Sequence, residues 1–201
     1  MELLLSPANP TAHAALEPSP WVVRWSHLIA PGATVLDVAC GAGRHARWFA
    51  QRGCRVTALD RDAAAVEPLR SIAEVVLADI EAGAWPMALR RFDAVIVTNY
   101  LWRALVPTLI ASLADGGVLV WETFASGNQT VGRPSNPQFL LEPGELLAAA
   151  TGLHIVAYEN GFLERPSRFV QRICAVRAGR PQPLRAALSA QVKSVDSEEL
   201  P

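Results

Sequence analysis

Short apolar runs recur through the first two thirds of the chain, and each ends in a polar side chain. The runs are apolar along their whole length rather than at alternate positions. Such runs are typical of buried strands in a parallel sheet that helices cover on both faces. They predict five strands, over residues 34–38, 55–59, 74–78, 92–98 and 118–123.

Helices are predicted between these strands, because apolar residues there recur at helical spacing. The predicted helices cover residues 44–52, 63–71 and 101–113, and a short amphipathic helix over 21–30 precedes the first strand. Pro68 and Pro107 mark an end or a kink in two of them.

The last third of the chain has a different pattern. Residues 124–141 are rich in Gly, Asn and Pro and predict a long loop, followed by a helix over 143–150 and strands over 153–158 and 168–177. Together the elements predict an α/β fold: a doubly wound, mostly parallel, Rossmann-like sheet of seven strands with helices on both faces.

The composition supports one folded domain with short flanking segments. The chain has 201 residues, of which 51% are hydrophobic and 18% charged. We predict an arm with a substrate-covering helix over 1–30, the main domain over 31–178, and a polar, flexible tail over 179–201.

Charge and cysteine usage narrow the range of partners. The formal net charge of -1 gives no reason to expect nucleic acid or an anionic membrane as partner. The three cysteines form no CxxC pair and the four histidines show no metal-ligand spacing, which predicts reduced thiols and no metal site. Residues 1–6 contain a run of three leucines, but Glu2 precedes it and the basic segment of a signal peptide is missing, so we expect a cytoplasmic protein.

Polar side chains follow the predicted parallel strands at their carboxyl ends, where ligands bind in open α/β sheets. These side chains belong to Asp37, Asp60, Asp79, Asn99 and Glu122. After the first strand, Gly41 and Gly43 allow a tight turn that a ligand can approach closely. Asp60 follows one helix and one strand later, where a carboxylate can accept from both hydroxyls of a ribose.

Two cofactors compete for this turn. The segment from Gly41 to Ala46 fits the dinucleotide pattern GxGxxG/A. The segment from Asp37 to Gly43 instead has an acidic residue followed by small residues at alternate positions. A carboxylate at Asp37 would repel a pyrophosphate and attract a ligand that carries an ammonium and a sulfonium, which favours S-adenosyl-L-methionine.

From Val35 to Gly43 the sequence VLDVACGAG resembles the first motif of class I S-adenosylmethionine-dependent methyltransferases. Further resemblances to that family, in the same order, lie at residues 59–60, 77–80, 92–99 and 113–120, and the small size resembles the bacterial tellurite-resistance type. The resemblance covers about residues 30–125. One departure is Ala39, where the family usually has glycine and a methyl group could crowd the cofactor.

The resemblance implies a role for each matching residue. Gly41 and Gly43 would line the methionyl part of the cofactor, with Asp37 near its amino group. Asp60 would bind the ribose, Asp79 and Ile80 the adenine, and Asn99 and Tyr100 would lie near the reactive methyl. The predicted cofactor-binding set is Asp37, Ala39, Cys40, Gly41, Gly43, His45, Asp60, Arg61, Asp79, Ile80, Asn99 and Tyr100.

Structural roles remain open for several of these residues. Asp60 and Asp79 could each cap a helix or close a turn, and Asn99 is of a type common in turns. Cys40 is expected to be a packed residue rather than a nucleophile, because no partner base is evident. His45 is expected to face outward from its helix.

The predicted acceptor site draws on other segments. Trp25 and His27 fall in the predicted covering helix, although the tryptophans could simply pack in the core. Glu122, Phe124 and Arg133 precede or belong to the long loop, which is interpreted as a lid or, alternatively, as an ordered surface loop. The arginines after residue 164 are expected to form a solvated face.

These patterns predict an enzyme that moves a methyl group from S-adenosyl-L-methionine to a small-molecule acceptor by in-line displacement. Alignment of the reacting atoms supplies much of that catalysis, and a base is needed only if the acceptor must lose a proton. No catalytic residue is therefore named. The alternatives are an NAD(P)-dependent oxidoreductase, for which no Tyr/Lys pair is evident, and a non-catalytic methyltransferase-like scaffold.

Overall fold

A computed structural model describes residues 17–177 of the chain. The predicted arm before residue 17 and the predicted tail from residue 179 lie outside these residues. Within them, no helix has the length and apolar character needed to cross a membrane.

The predicted seven-stranded, mostly parallel sheet is confirmed. Its spatial order is β3-β2-β1-β4-β5-β7-β6, in which β1 to β5 pair in parallel and β7 pairs antiparallel to both of its neighbours. The order reverses between β1 and β4, which places the crevice of an open α/β sheet at their carboxyl ends. The strands are β1 (Thr34–Val38), β2 (Arg55–Asp60), β3 (Glu74–Leu77), β4 (Phe92–Thr98), β5 (Leu113–Phe124), β6 (Leu153–Glu164) and β7 (Ser167–Arg177).

The helices are shorter than the apolar spacing predicts. They are α1 (Pro20–Trp25), α2 (Arg44–Gln51), α3 (Ala63–Val66), α4 (Val106–Ala111) and α5 (Glu145–Ala149). Three of them adjoin 3-10 turns, which follow α1 (Ser26–Leu28) and α3 (Glu67–Leu69) and precede α4 (Arg103–Leu105). Pro68 lies in the turn after α3, because proline has no N–H for the helix interior, whereas Pro107 fits the first turn of α4.

Two strands contain irregularities that the sequence did not reveal. β5 begins at Leu113, before its predicted start at residue 118, and its register with β4 shifts between Phe92 and Ala94. Gly116 within this bulge has a φ of 77°. β6 likewise shifts register against β7 between Ile155 and Ala157, so that Val156 bulges from the ladder.

Each face of the sheet is covered by its own hydrophobic cluster. On one face, α1, α2 and α3 contribute Trp21, Phe49 and Val66. On the other, Leu109 of α4 and Leu146 of α5 pack against the strands. Successive side chains along each strand point alternately into one cluster and the other, as the pleat requires.

Helix α1 is part of this core. Trp21 is 1% exposed, and its indole N–H donates to the carbonyl of Ile173 on β7 over 3.2 Å. Trp25 packs edge-on against it, with 5.6 Å between the ring centroids. The segment that was predicted to cover the substrate therefore contributes two large side chains to the interior.

We expect Trp21→Ala to lower the free energy of unfolding by about 3 to 5 kcal/mol, because it opens a cavity and leaves the Ile173 carbonyl without its donor. Urea titration followed by circular dichroism measures the change. Val23→Ala, on the exposed side of the same helix, serves as control and should cost less than about 1 kcal/mol. Equal losses in both variants would contradict a core role for α1.

Candidate functional site

The turn between β1 and α2 has left-handed backbone conformations. Gly43 has a φ of 74°, and a Cβ there would collide with the side chain of Leu69. Ala39 has a φ of 51°, a conformation that costs a non-glycine residue about 1 kcal/mol. The alanine in place of the expected glycine therefore affects the backbone as well as the space above the turn.

Asp37 lies beneath this turn rather than in an open cavity. Its carboxylate is 1% exposed, and Oδ2 accepts a hydrogen bond of 2.9 Å from the backbone N–H of Ala46. Burial raises the pKa of Asp37 to about 7, against the opposing effects of that N–H and of Arg44. Asp37 thus fixes the start of α2 under the turn.

Asp60 supports the turn from the side of β2. One oxygen accepts from the N–H of Gly41 over 2.7 Å and the other from the N–H of Asp62 over 2.9 Å. Asp62, and not Asp60, caps α3 by accepting from the N–H groups of Ala64 and Ala65. Each oxygen of Asp60 keeps a lone pair for a further donor.

A cavity of about 200 Å³ opens beside Asp60. It brings together six residues of the predicted cofactor set with two others, and is lined by Ala39, Asp60, Arg61, Ala78, Asp79, Ile80, Glu81 and Tyr100. Sequence reasoning missed Glu81, although it directly follows the segment predicted to contact adenine. Three carboxylates and one guanidinium make this cavity negative.

The expectation that His45 faces outward is wrong. The ring is 1% exposed; its Nε2 accepts from the N–H of Ser19 over 3.1 Å, and Nδ1 lies 3.4 Å from Thr98 Oγ1. Burial, together with the charge of Arg44, lowers the pKa of His45 to about 3. The imidazole is therefore neutral, and its 4.0 Å approach to Asp37 is not an ion pair.

Cys40 lies in the turn with its thiol buried. Its Sγ donates to the carbonyl of Gly41, and burial raises its pKa well above the usual range. The thiolate form, which a nucleophile needs, is disfavoured. Among residues 17–177, no group of three potential metal ligands occurs.

A second cavity, of about 250 Å³, adjoins the first and shares Glu81 and Tyr100 with it. Its lining is mostly apolar and consists of Glu81, Asn99, Tyr100, Leu101, Thr123, Phe124, Pro134 and Phe139. Asn99 has a φ of 55° at the end of β4, where the sheet order reverses nearby. Of the predicted acceptor residues, Phe124 lines this cavity. Arg133 does not line it but directly precedes Pro134, which does.

The long loop is ordered over the second cavity. Arg103 donates to the carbonyls of Gln138 and Leu140 over 2.6 and 2.8 Å. Asn128 is 1% exposed and bonds both the carbonyl of Pro134 and the N–H of Phe169. These contacts fix Pro134 and Phe139 as one wall of the cavity.

Glu122 was predicted at the mouth of the acceptor site, but its side chain is fully buried. Its carboxylate accepts from Ser19 Oγ over 3.0 Å, from Arg168 Nη2 over 3.1 Å and from Arg172 Nη1 over 3.3 Å. The expectation of a solvated arginine face is thus wrong for Arg168 and Arg172, whose side chains are 15% and 17% exposed. We refer to Ser19, Glu122, Arg168 and Arg172 as the Glu122 network.

Trp25 and His27 line neither cavity. Trp25 is 2% exposed and belongs to the core. His27 is half-buried, and its ring centroid lies 5.9 Å from that of Trp25 with an angle of 36° between the ring planes.

A comparison of the sequence with known protein families finds a match, and it covers the strands and turns that form the first cavity. Residues 35–117 match the family model described as a methyltransferase domain, and this match confirms the resemblance predicted from the sequence. Residues 35–117 are therefore similar to a methyltransferase domain.

A curated relative, the malonyl-[acyl-carrier protein] O-methyltransferase of Serratia marcescens, is 33% identical over 107 residues. The match covers 49% of this chain and 41% of that protein, so the chain spans about two fifths of the relative's length.

Solved structures share the fold. TehB from Haemophilus influenzae superimposes with a TM-score of 0.63 at 22% identity, over 78% of this chain and 61% of that one. A structure described as a SAM-dependent methyltransferase from Methanosarcina mazei gives a TM-score of 0.62 at 14% identity, over 82% of this chain and 100% of that one.

We expect Ala39→Gly to raise the free energy of unfolding by about 0.5 to 1 kcal/mol, because glycine adopts the left-handed conformation without strain. Ala64→Gly, the same chemical change in the regular helix α3, should lower it by about 1 kcal/mol. Urea unfolding of both variants measures the effect. A loss of stability on Ala39→Gly would contradict strain at this turn.

Asp37 should make stability depend on pH. Its pKa is about 7 in the folded chain and about 4 when unfolded, so the folded state favours the protonated form. That advantage is complete below about pH 4 and is lost as pH rises to 7. Asp37→Asn imitates the protonated form, so its stability relative to wild type should rise between pH 4 and 7 and then level off.

Urea unfolding at pH 4, 5.5, 7 and 8 measures this difference in the absence of ligand. Asp115→Asn, an exposed carboxylate in the β5 bulge, serves as control and should show little such dependence. A constant difference between Asp37→Asn and wild type would show that Asp37 is already ionised in the folded chain.

Proposed function

We propose that the chain is an S-adenosyl-L-methionine-dependent methyltransferase that transfers a methyl group to a small-molecule acceptor by in-line displacement. The observation that carries this proposal is the meeting of Asp60, Asp79 and the β1–α2 turn in one cavity, directly beside a second cavity at Asn99.

The chemistry of the first cavity fits this cofactor. Asp60 has one free lone pair on each oxygen, which suits the two hydroxyls of a ribose. Ile80 and Asp79 offer an apolar surface and an acceptor for an adenine. When bound, the cofactor supplies a methyl group on a sulfonium, which leaves as a neutral thioether.

Electrostatics separates this proposal from a dinucleotide oxidoreductase. Asp60, Asp79 and Glu81 line the cavity with Arg61 as its one cation, and Arg61 lies 3.8 and 3.9 Å from the carboxylates of Asp79 and Glu81. A net negative cavity attracts a cofactor that carries an ammonium and a sulfonium and repels a pyrophosphate.

The second cavity supports turnover rather than a binding scaffold. It shares a wall with the first at Tyr100 and Glu81, so a bound acceptor would lie next to a bound cofactor. Its volume of about 250 Å³ lies below the usual range for drug-sized ligands, which supports a small acceptor. The residues that enclose it hold the acceptor in line and exclude water.

Calorimetric titration with adenosylmethionine, adenosylhomocysteine and NADH tests the proposal. We expect micromolar binding of the first two and none of NADH. Asp60→Asn keeps the shape of the side chain but removes its charge, and should weaken adenosylhomocysteine binding about tenfold or more.

Asp115→Asn, the same chemical change at an exposed site near the start of β5, is the matched control and should bind like wild type. A thermal melt of each variant separates lost binding from lost folding. Binding of NADH in preference to adenosylhomocysteine, or no binding of either, would overturn the proposal.

A further inference from the structure

The residues around Asn99 do not provide a free general base. His45 is neutral, and both of its ring nitrogens face other groups, Ser19 N and Thr98 Oγ1. Glu122 is held in ion pairs with Arg168 and Arg172. Among residues 17–177, the acceptor cavity therefore lacks both an exposed imidazole and an unpaired buried carboxylate.

The remaining titratable groups nearby are also engaged or masked. Glu81 lies on the rim, 3.9 Å from Arg61, and its charge acts on the neighbouring Tyr100 hydroxyl. Burial raises the pKa of Tyr100 above its usual range. Asp37 lies beneath the turn and lines neither cavity. Within residues 17–177, an acceptor that must lose a proton would find only Glu81 in its cavity, which Arg61 faces, whereas a nucleophile with a free lone pair at neutral pH needs no such group.

Positive charge accumulates at the same end of the site. Arg168 bridges Glu122 and Asn99, with Nη1 lying 3.5 Å from Asn99 Oδ1. Arg44, at the start of α2, lies close enough to Glu122 and Arg168 to interact with both, yet forms no hydrogen bond or ion pair within residues 17–177. Four guanidiniums here face three carboxylates, and the groups are Arg24, Arg44, Arg168 and Arg172 against Glu122, Glu159 and the buried Asp37.

Strand order places this charge on the acceptor side of the site. Asp60 ends β2, whereas Arg168 is the second residue of β7, a strand that lies two positions beyond β4 and four beyond β2. At about 4.8 Å per strand, the strand of Arg168 lies about 10 Å from the strand of Asn99 and about 19 Å from that of Asp60. The cofactor cavity is negative, and the end of the site at β7, where Arg168 meets Asn99 in the wall of the second cavity, is positive.

We propose that the acceptor is a small carboxylate that is methylated on oxygen to give a methyl ester, and that Arg168 binds its carboxylate group. This inference rests on the proposed function. A carboxylate is already ionised at neutral pH, so it needs no base, and its charge complements the excess of guanidinium.

The step balances without proton transfer. One carboxylate oxygen donates a lone pair to the methyl carbon, and a C–O bond forms as the C–S bond breaks. The C–S electron pair stays on sulfur, so the sulfonium becomes a neutral thioether and the carboxylate a neutral ester. Arg168 holds the second oxygen, which leaves the first free to attack.

The apolar lining of the second cavity describes the rest of the acceptor. Leu101, Phe124, Pro134 and Phe139 offer hydrophobic contacts, and Glu81, shared with the cofactor cavity, is the one charged residue of the lining. An acyl or aryl group joined to a single carboxylate matches this lining, and the Thr123 hydroxyl, which has no partner within residues 17–177, offers one hydrogen bond to it.

The test uses the full chain with methyl-tritiated adenosylmethionine and a panel of straight-chain and aryl-substituted monocarboxylates. Each carboxylate is matched by its primary amide and by the amine of the same skeleton. Methyl esters release volatile methanol in mild alkali, whereas N-methyl and ether products do not. We expect base-labile label with carboxylates and none with the matched amides or amines.

Arg168→Gln tests the binding residue, with Arg168→Lys to keep the charge beside Glu122. For the best carboxylate, we expect the glutamine variant to raise KM about tenfold or more with a smaller change in kcat, and lysine to restore part of the loss. Titration of that carboxylate into protein saturated with adenosylhomocysteine should show the same loss without turnover. Arg165→Gln, an exposed arginine in the same hairpin, should behave as wild type.

The outcomes separate the two levels of the argument. Adenosylhomocysteine binding with label only in base-stable products, or with no label transferred to any carboxylate, would overturn the carboxylate inference and leave the proposed cofactor intact. Unchanged KM in Arg168→Gln would overturn the role of Arg168. Absence of adenosylhomocysteine binding would overturn the proposed function itself.

Discussion

The burial of Glu122 constrains much of the molecule. A fully buried carboxylate is costly unless it is paired, so the chain must bring cations and donors to it. Ser19 supplies a hydroxyl from the start of α1, and Arg168 and Arg172 supply guanidiniums from β7. Arg172 also pairs with Glu159 of β6. One carboxylate thus connects a helix and three strands at the edge of the sheet where ligands bind.

The reversed direction of β7 makes this arrangement possible. In a parallel strand, the first residues lie at the edge opposite to the ligand crevice. Because β7 runs antiparallel to β5, its first residues lie beside the last residues of β5. Arg168 therefore reaches Glu122 and Asn99 from the start of β7, and Arg172, directly opposite Glu122 in the ladder, also reaches that carboxylate.

The sequence predicts the parallel half of the fold well, because its signals are local. Buried parallel strands are apolar throughout, and the turn after β1 carries its glycines next to the strand they follow. The cofactor half of the site follows from the same reasoning, since Asp60 and Asp79 end their strands. The bulge at Gly116 was not predicted, because glycine favours turns and bulges alike and only the pairing partner distinguishes them.

The acceptor half could not be predicted in this way. Glu122 contacts Arg168 across 46 residues and Ser19 across 103, and no local pattern records such separations. The sequence alone predicts that an arginine in a strand is exposed to solvent, unless its distant partner is known. His45 was misjudged for a related reason, because the N–H that occupies it comes from Ser19, on a segment 26 residues away.

The bulge at Val156 has a consequence for how copies of this chain meet. β6 is a long edge strand, and its outer backbone groups could template another strand. The register shift between Ile155 and Ala157 breaks the regular spacing of those groups and increases the local twist. Further along, Glu159 places a charge on the same edge. The strand that holds the arginines in place thus also resists growth of the sheet from one molecule into the next.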